Sequence, residues 1–529
     1  MWARFPANFS GVFMGPKPII PGSGELFRQT LREQINLKHP LVKLADLIEW
    51  ERIDAVCASR FTSGRGRPAT SPRLIAGLLY LQHAFDLSDD DVVWGWVENP
   101  YWQVFTGETY LQIEPPIDPS SLTRWRQRLG EEGIEELLAV TISAGQRSGA
   151  VRKSSLKTVI VDTTVMPKAV AHPTDSRLLE RSREHLVKAA GECGLKLRQN
   201  YNREAPKLAL QIGRYAHARQ FKRMNKVLRT LRSRVGRVWR DIDRQKDTVT
   251  GAAREKLDDL LARTHRILTQ RTKDKNKLYA LHAPEVECIS KGKARTPYEF
   301  GVKVSITTTL KEGFVVGARS MPGNPYDGHT LPEALEQASI LGDTPIHTVV
   351  VDRGYRGVEV PGTRILRSGQ RRGITKGLKA MIKRRSAIEP TIGHMKSDGK
   401  LDRNWLKGRL GDAIHAILCG AGHNIRLLAC PAVAVLAFRW RPLHPVHHPT
   451  SASARPRFPS CNGLGHHRLP IYECADDPLR TQGVLCAGTL PRFQPDGCRT
   501  PHGAIPFPRD ARPRYGLSTA KWWQWKYCR

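Results

Sequence analysis

The 529-residue chain carries 84 Lys and Arg against 50 Asp and Glu, a formal net charge of +34 with a pI near 10.1. With 40% hydrophobic residues, wholesale disorder is excluded, and the length calls for two or three domains rather than one core. No run approaches the about 18 uninterrupted apolar residues of a membrane-spanning helix, and the positive excess makes a polyanion, nucleic acid before others, the expected partner.

Residues 1–23 form a Gly/Pro-rich leader without periodic pattern, and Met14 is an alternative start. The leader lacks a charged region followed by a long apolar run, so it does not read as a secretory signal. From 24 to 152 the pattern is helical. INLKHPLVKLADLIEW spaces Leu41, Leu44, Leu47 and Ile48 along one helix face. RPATSPRLIAGLLYLQHAFDLSDDDVVWGWVENP reads as two helices, the first opening at Ser71-Pro72 and the second at Ser88, with Asp91 completing a capping box. In SSLTRWRQRLG, Arg124 and Arg128 share a face beside Trp125, suited to contact with a nucleic-acid backbone or groove. A core position for Trp125 is equally open.

Residues 153–430 change character. LKTVIVDTT, YEFGVKVSITTTL, GFVVGARS and HTVVVDRGY are short β-branched runs typical of strands, with Lys311, Glu312 and Gly313 as a hairpin turn. Thr330 and Glu333 read as a capping box that opens the helix LPEALEQASIL. Strands followed by helices, the first and last strands wholly apolar, imply an α/β core with a buried mixed sheet. An insertion over about 170–290 interrupts it. There Phe221, Met224, Leu228, Leu231, Val235, Val238 and Ile242 form an apolar seam, with Leu257, Leu261 and Leu268 on a return arm after Gly251. This predicts a helical hairpin. Residues 196–246 hold 16 Lys and Arg and 3 Asp and Glu, so its outer face, with Arg229, Arg232, Arg237, Arg240 and Arg244, is expected to contact phosphates.

The stretch 431–529 contains 14 of the 36 prolines and 5 of the 10 cysteines, and no period persists in it. It reads either as a disordered basic tail or as out-of-frame translation. The cysteines form no Cys-x-x-Cys pair, which argues against a zinc ribbon or redox motif and for a reducing, intracellular setting.

Three carboxylates stand out. Asp162 follows the apolar run VIV and Asp352 the run VVV, so both are expected at the carboxyl ends of buried strands. A charge there is costly unless it is paired or binds metal, and ligand crevices of open α/β sheets lie outside such strand ends. Two aspartates in matching contexts favour a shared Mg²⁺ over helix capping. Glu389 lies in KRRSAIEPTIGHMKSDG, next to Pro390 at a helix start, with Arg385 four residues before and Lys396 seven after. If the segment is helical, all three share a face.

These residues resemble a known family. VIVDTTV, VVVDRGYRG and RRSAIEPTIGHMKSDGKLDRNWLKGRLGD together are similar to the motifs of DDE transposases of bacterial insertion sequences, of the insertion-sequence-five group. That family carries a Tyr-x2-Arg-x3-Glu-x6-Lys signature. Arg385, Glu389 and Lys396 match it, and Ile382 stands at the Tyr position. The resemblance runs from Gly24 to Cys430. It implies an RNase H-like catalytic core with a mixed sheet and a large helical insertion, behind an all-helical N-terminal DNA-binding domain. It further implies two Mg²⁺ ions, replaceable by Mn²⁺, held about 4 Å apart by Asp162, Asp352 and Glu389 as catalytic and metal-binding residues. Arg385 and Lys396 would hold phosphates, with Arg124 and Arg128 as further DNA contacts. The implied partners are double-stranded transposon ends and target DNA, bound by a homodimer, with no membrane; the implied location is cytoplasmic and nucleoid-associated. Two rivals remain at this stage: an RNase H-like nuclease that does not transpose, and a non-catalytic DNA-binding relic.

Overall fold

The computed structural model describes residues 29–58, 60, 70–271, 273–275, 277–290 and 297–429. The expectations for the leader and for residues 431–529 lie outside the described residues.

The N-terminal segment is helical as expected: α1 (Leu31–Gln34), α2 (Pro40–Leu47), α3 (Trp50–Ala58), α4 (Pro72–Ala84), α5 (Asp89–Glu98), α6 (Pro100–Thr106) and α7 (Ser120–Arg147). The run expected as one helix through Ile48 is two, because Ile48 turns to extended backbone (φ −77°, ψ 135°). Leu41, Leu44 and Ile48 are buried all the same. Pro72 starts α4, whereas the Ser71 side chain makes no cap bond. Ser88 caps α5 as read: its hydroxyl accepts from the Asp91 N–H at 3.0 Å, and the Asp91 carboxylate accepts from the Ser88 N–H. Helix α6 was not anticipated; Asn99 supplies its cap by accepting from the Tyr101 and Trp102 N–H groups. Trp125 is a core residue.

The sheet begins with β1 (Thr158–Pro167). Four helices then intervene: α8 (Asp175–Glu192), α9 (Ala205–His217), α10 (Phe221–Gln245) and α11 (Gly251–Thr269). The remaining elements are β2 (Glu287–Ser290), β3 (Tyr298–Thr309), β4 (Val315–Met321), α12 (Leu331–Leu341), β5 (Thr348–Val351), β6 (Arg364–Arg367), α13 (Lys376–Lys383), α14 (Ile388–Ser397) and α15 (Gly408–Ala429). Strand order is β2-β3-β1-β5-β6, with β4 also on β3. β1 runs antiparallel to β3 from Val159↔Thr309 to Pro167↔Gly301 and parallel to β5 through Ile160↔Val350. The sheet is therefore mixed and β1 is central, as the apolar runs implied. Gly313 (φ +69°) closes the β3–β4 turn in a left-handed conformation. At Gly301 any Cβ would run into the Met166 carbonyl oxygen, so the β1–β3 register requires glycine there. The expected Thr330 capping box is absent. The Thr330 hydroxyl donates to the Asp327 carbonyl instead, and Glu333 pairs with Arg319.

Both faces of the sheet are covered. Val159, Val161, Val349 and Val351 pack in one core with residues of α7, α12 and α15, while Ile160, Val350 and Leu366 pack against Ile388 at the start of α14. Alternation along a strand fixes this division. By the same parity Asp162 and Asp352 belong to the face that α14 covers.

The insertion is larger than the expected hairpin. α8, α9, α10 and α11 form a four-helix unit with Leu179, Ile212, Leu231, Val235 and Ile267 in one core and Leu186, Val238, Ile242, Leu257 and Leu261 in the next. Phe221 is 57% exposed, so the seam starts at Met224.

Helix α15 carries two buried histidines, His415 and His423, whose pKa values are pushed down to about 3, chiefly by burial. A depressed histidine resists protonation in the folded state while the unfolded chain takes the proton near pH 6.5. Its contribution to stability is therefore whole above that pH and is lost as pH falls, at ~1.4 kcal/mol per unit. The His415 Nε2 donates to the Lys400 carbonyl at 2.9 Å, a bond that glutamine can replace. His415→Gln is expected to flatten the decline in unfolding free energy between pH 6.5 and 5 by about 2 kcal/mol in total, read by urea denaturation. An unchanged pH slope would show that the unfolded state gains no proton at this position.

Candidate active site

Asp162 is not at the end of its strand. β1 continues to Pro167, and Asp162 lies opposite Ile306 of β3. On its other side the parallel neighbour stops at Val351, so the carboxylate lies beyond the end of the β1–β5 pairing, where open α/β sheets place their ligand crevice. Asp352 follows directly, and its side chain accepts the Gly354 N–H at 2.7 Å to cap a short 3-10 turn. The capping alternative is thus realised, and the aspartate still lies close enough to Asp162 for its charge to act there.

Glu389 enters from α14. Arg385, one turn earlier, spans two carboxylates: its Nη1 donates to Glu389 Oε1 at 2.8 Å and its Nη2 to Asp162 Oδ2 at 2.7 Å. Lys396, on the same side of the segment, donates from Nζ to the Val165 carbonyl at 2.7 Å. The expected common face therefore exists, and both cations reach β1. Glu389 is 61% exposed, whereas Asp162 is 15% exposed. Burial pushes the Asp162 carboxyl up to about 6, the Arg385 guanidinium opposes that rise, and the charge of Asp352 adds to it. The Tyr355 phenol is raised by burial and by Asp162, Asp327 and Asp352.

Asp327 escaped the sequence reading. It precedes α12, and its Oδ1 accepts from the Thr163 hydroxyl at 3.0 Å and from Lys303 Nζ at 2.9 Å. The signal for it was Lys303, the one cation inside the β-branched strand YEFGVKVSITTTL, which requires a buried partner.

These carboxylates fit a hard divalent cation. All are oxygen donors, the two aspartates crowd like charges at one crevice, and a guanidinium already bridges two of the three acids. A second group, the metal-competent atoms of His83, His415 and Cys419 within 4.8 Å of one another, lies buried between α4 and α15. The charges of Arg126 and Lys400 act on both imidazoles, which burial already holds neutral. A dication would add positive charge beside them, so this cluster is read as neutral core.

Arg124 and Arg128 are exposed on α7, as expected from their spacing, and Arg124 Nη2 donates to Ser120 at 3.1 Å. Between them Arg126 is buried and pairs with Asp89 at 2.6 Å.

Comparison with known proteins gives the same direction. A family described as a transposase domain (DUF772) matches residues 29–128, which hold α1 to α6 and the first part of α7. The transposase DDE domain matches residues 240–425, a span that includes Asp352 and Glu389 and begins after Asp162. An uncharacterized protein, ORF8 of the nfe locus in Rhizobium meliloti, is 50% identical over 207 residues, 39% of this chain and the whole of that protein. No solved structure matches. With a crevice of paired aspartates beside a glutamate-bearing helix and both transposase domains in its length, the chain belongs to the DDE transposases of insertion sequences and is a DNA transposase.

Proposed function

We propose that the chain is a transposase of the insertion-sequence-five group, in which Asp162, Asp352 and Glu389 hold catalytic metal ions, Mg²⁺ with Mn²⁺ able to replace it, on an RNase H-like core. The observation that carries this is the Arg385 bridge, which brings Asp162 and Glu389 together at the end of β5 where Asp352 sits. The mixed order, β4-β3-β1 antiparallel with β2 also antiparallel on β3, continuing into parallel β5 and β6, supports the fold reading.

Divalent ions held there supply an activated water and charge stabilisation for the leaving oxygen of a phosphodiester. The chain's own residues position them. The Gly354 N–H fixes the Asp352 carboxylate, the Thr163 N–H fixes that of Asp162 at 3.0 Å, and Lys396 ties α14 to β1. With those carboxylates engaged by metal, Arg385 would be placed to donate from its two terminal nitrogens to phosphate oxygens. The N-terminal helices, with Arg124 and Arg128, bind the terminal inverted repeats, and two copies act together on paired ends near the nucleoid.

The test supplies the full-length protein with linear duplex carrying the element's two ends, with Mg²⁺ or with EDTA. Nicks at the ends and joined products in Mg²⁺ alone support the proposal. Cleavage without joining moves the reading to a nuclease.

Asp327 acts in this scheme as a positioning residue, through Thr163 beside Asp162 and through Lys303. Asp327→Asn, which keeps the shape and removes the charge, is expected to cost about 10–100-fold in cleavage at low Mg²⁺, with partial recovery at high Mg²⁺. A uniform loss at all metal concentrations would count against a role through the metal-binding residues.

A further inference from the structure

We propose that one stripe of α10 is a second DNA-binding surface, made to follow the phosphates of a duplex and separate from the catalytic crevice. α10 buries Leu231, Val235, Val238 and Ile242 in the insertion. At about 100° per residue, Lys222, Lys226, Arg229, Arg237, Arg240 and Arg244 fall within a sector of roughly 80° on the outside of that helix. All six are exposed. From the first to the last, the row extends roughly 33 Å, close to one turn of B-form DNA.

Charge placement sets this row apart from an ordinary solvated face. Several other cations of the insertion are paired, Arg183 with Glu180, Arg234 with Glu204, Arg254 with Asp258 and Arg263 with Asp259. The unpaired ones among the described residues off α10, such as Lys196, Lys207 and Arg214, are divided between α9 and the loop before it and do not form one such row. Among the described residues none of the six in the stripe has a carboxylate within salt-bridge distance; Arg229 donates to the Asn225 carbonyl and Arg237 to the Tyr201 hydroxyl, both neutral. The two acids of α10 lie off the stripe. Asp241 is buried and accepts from the Arg198 N–H, and Asp243 pairs with Lys246. Arg232, expected in this set from sequence, leaves it: it is half-buried and turned toward Asp175 at 3.9 Å.

The chemistry of the row identifies its occupant. Ser233 is the one residue within the row's gap that shares its sector, so no apolar anchor interrupts the cations and no pocket reads a side chain. A straight, uniformly positive row with nothing but charge to offer matches a backbone that repeats a phosphate at regular intervals, and gives affinity without sequence preference. An acidic protein segment would need apolar anchors that this face lacks. The inference rests on DNA being the enzyme's partner, and its test is run in EDTA so that it is independent of cleavage.

The experiment compares three full-length proteins on a duplex of arbitrary sequence several helical turns long, by fluorescence anisotropy from about 50 to 200 mM KCl. The first is unaltered. The second carries glutamine at Lys222, Lys226, Arg229, Arg237, Arg240 and Arg244. The third carries glutamine at six other exposed cations of the insertion, Arg181, Lys188, Lys196, Lys207, Arg214 and Lys256, giving the same change in net charge. The slope of log affinity against log salt is expected to become shallower by about 3–5 in the stripe variant and by less than about 1 in the control. Equal changes in both would show a diffuse charge effect, and an unchanged slope in the stripe variant would show that DNA does not touch this face; either result overturns the proposal. All substitutions are at exposed positions, and matching circular-dichroism melts establish that each protein is folded.

Discussion

Asp162→Asn is expected to abolish Mg²⁺-dependent cleavage, a loss of at least about 10³-fold, because removing one charged ligand takes several kcal/mol from the stabilisation of the transition state. Asp352→Asn and Glu389→Gln are expected to do the same. DNA affinity should stay within about tenfold in all three, since phosphate contacts and not the acids carry it. The amide replacements keep shape, and each position offers it a partner: the Thr163 N–H at Asp162 and the Gly354 N–H at Asp352. The melting temperatures should therefore remain near that of the unaltered protein. Full cleavage by any one variant would remove that residue from the catalytic set.

The largest loss of stability is expected at Gly301. Its Cβ position is occupied by the Met166 carbonyl oxygen, with the Pro167 Cα at 2.8 Å, so the obstacle is backbone on the central strand. No rotamer change relieves it. Gly301→Ala must either part β1 from β3 or shift their register, and is expected to cost 3 kcal/mol or about that much, a large share of a typical total of 5–15. Gly213 in α9 is the counter-case. Nothing lies within 4 Å of its added Cβ, so Gly213→Ala should stabilise by about 0.5–1 kcal/mol. Urea denaturation of both decides the matter. A Gly301→Ala protein within about 1 kcal/mol of the original would mean that β1 and β3 do not meet at Pro167↔Gly301.

The strands were legible because each is a β-branched run with both neighbours apolar, and β1, β3, β4 and β5 emerged near the residues expected. Where β1 ends was not. A sequence shows where apolar residues stop, at Asp162, whereas a strand ends where its hydrogen-bond partner ends, and β3 keeps β1 paired through Pro167. β2 and β6 were missed because each has only two apolar residues, with charged or polar ones at its ends (ECIS and RILR), whereas the equally short β5 is TVVV. The insertion was read as two helices because the α10 seam is long and regular. α9 turns Ala205, Leu208, Ala209 and Ile212 toward the same core, but alanines make a weak apolar signal. The three carboxylates stood out by breaking an apolar or basic context. Asp327 did not, since a loop aspartate before a helix looks like a cap until Lys303 is seen to need it.

Strand β1 is joined to its antiparallel partner only after a four-helix excursion, and this has a consequence during synthesis. About 130 residues separate Pro167 from Tyr298. At roughly 5–20 residues per second, β1 waits some 7 to 26 s on the ribosome with both edges bare. The four helices between them make mainly neighbour contacts, which close fast, so the insertion is complete while the central strand is still without a sheet. Glu389 emerges later still, and a nascent chain that ends between Tyr298 and Glu389 carries the whole basic helical insertion on an unfinished catalytic half. The order of emergence therefore gives the newborn protein its positively charged stripe before it gives it the means to cut.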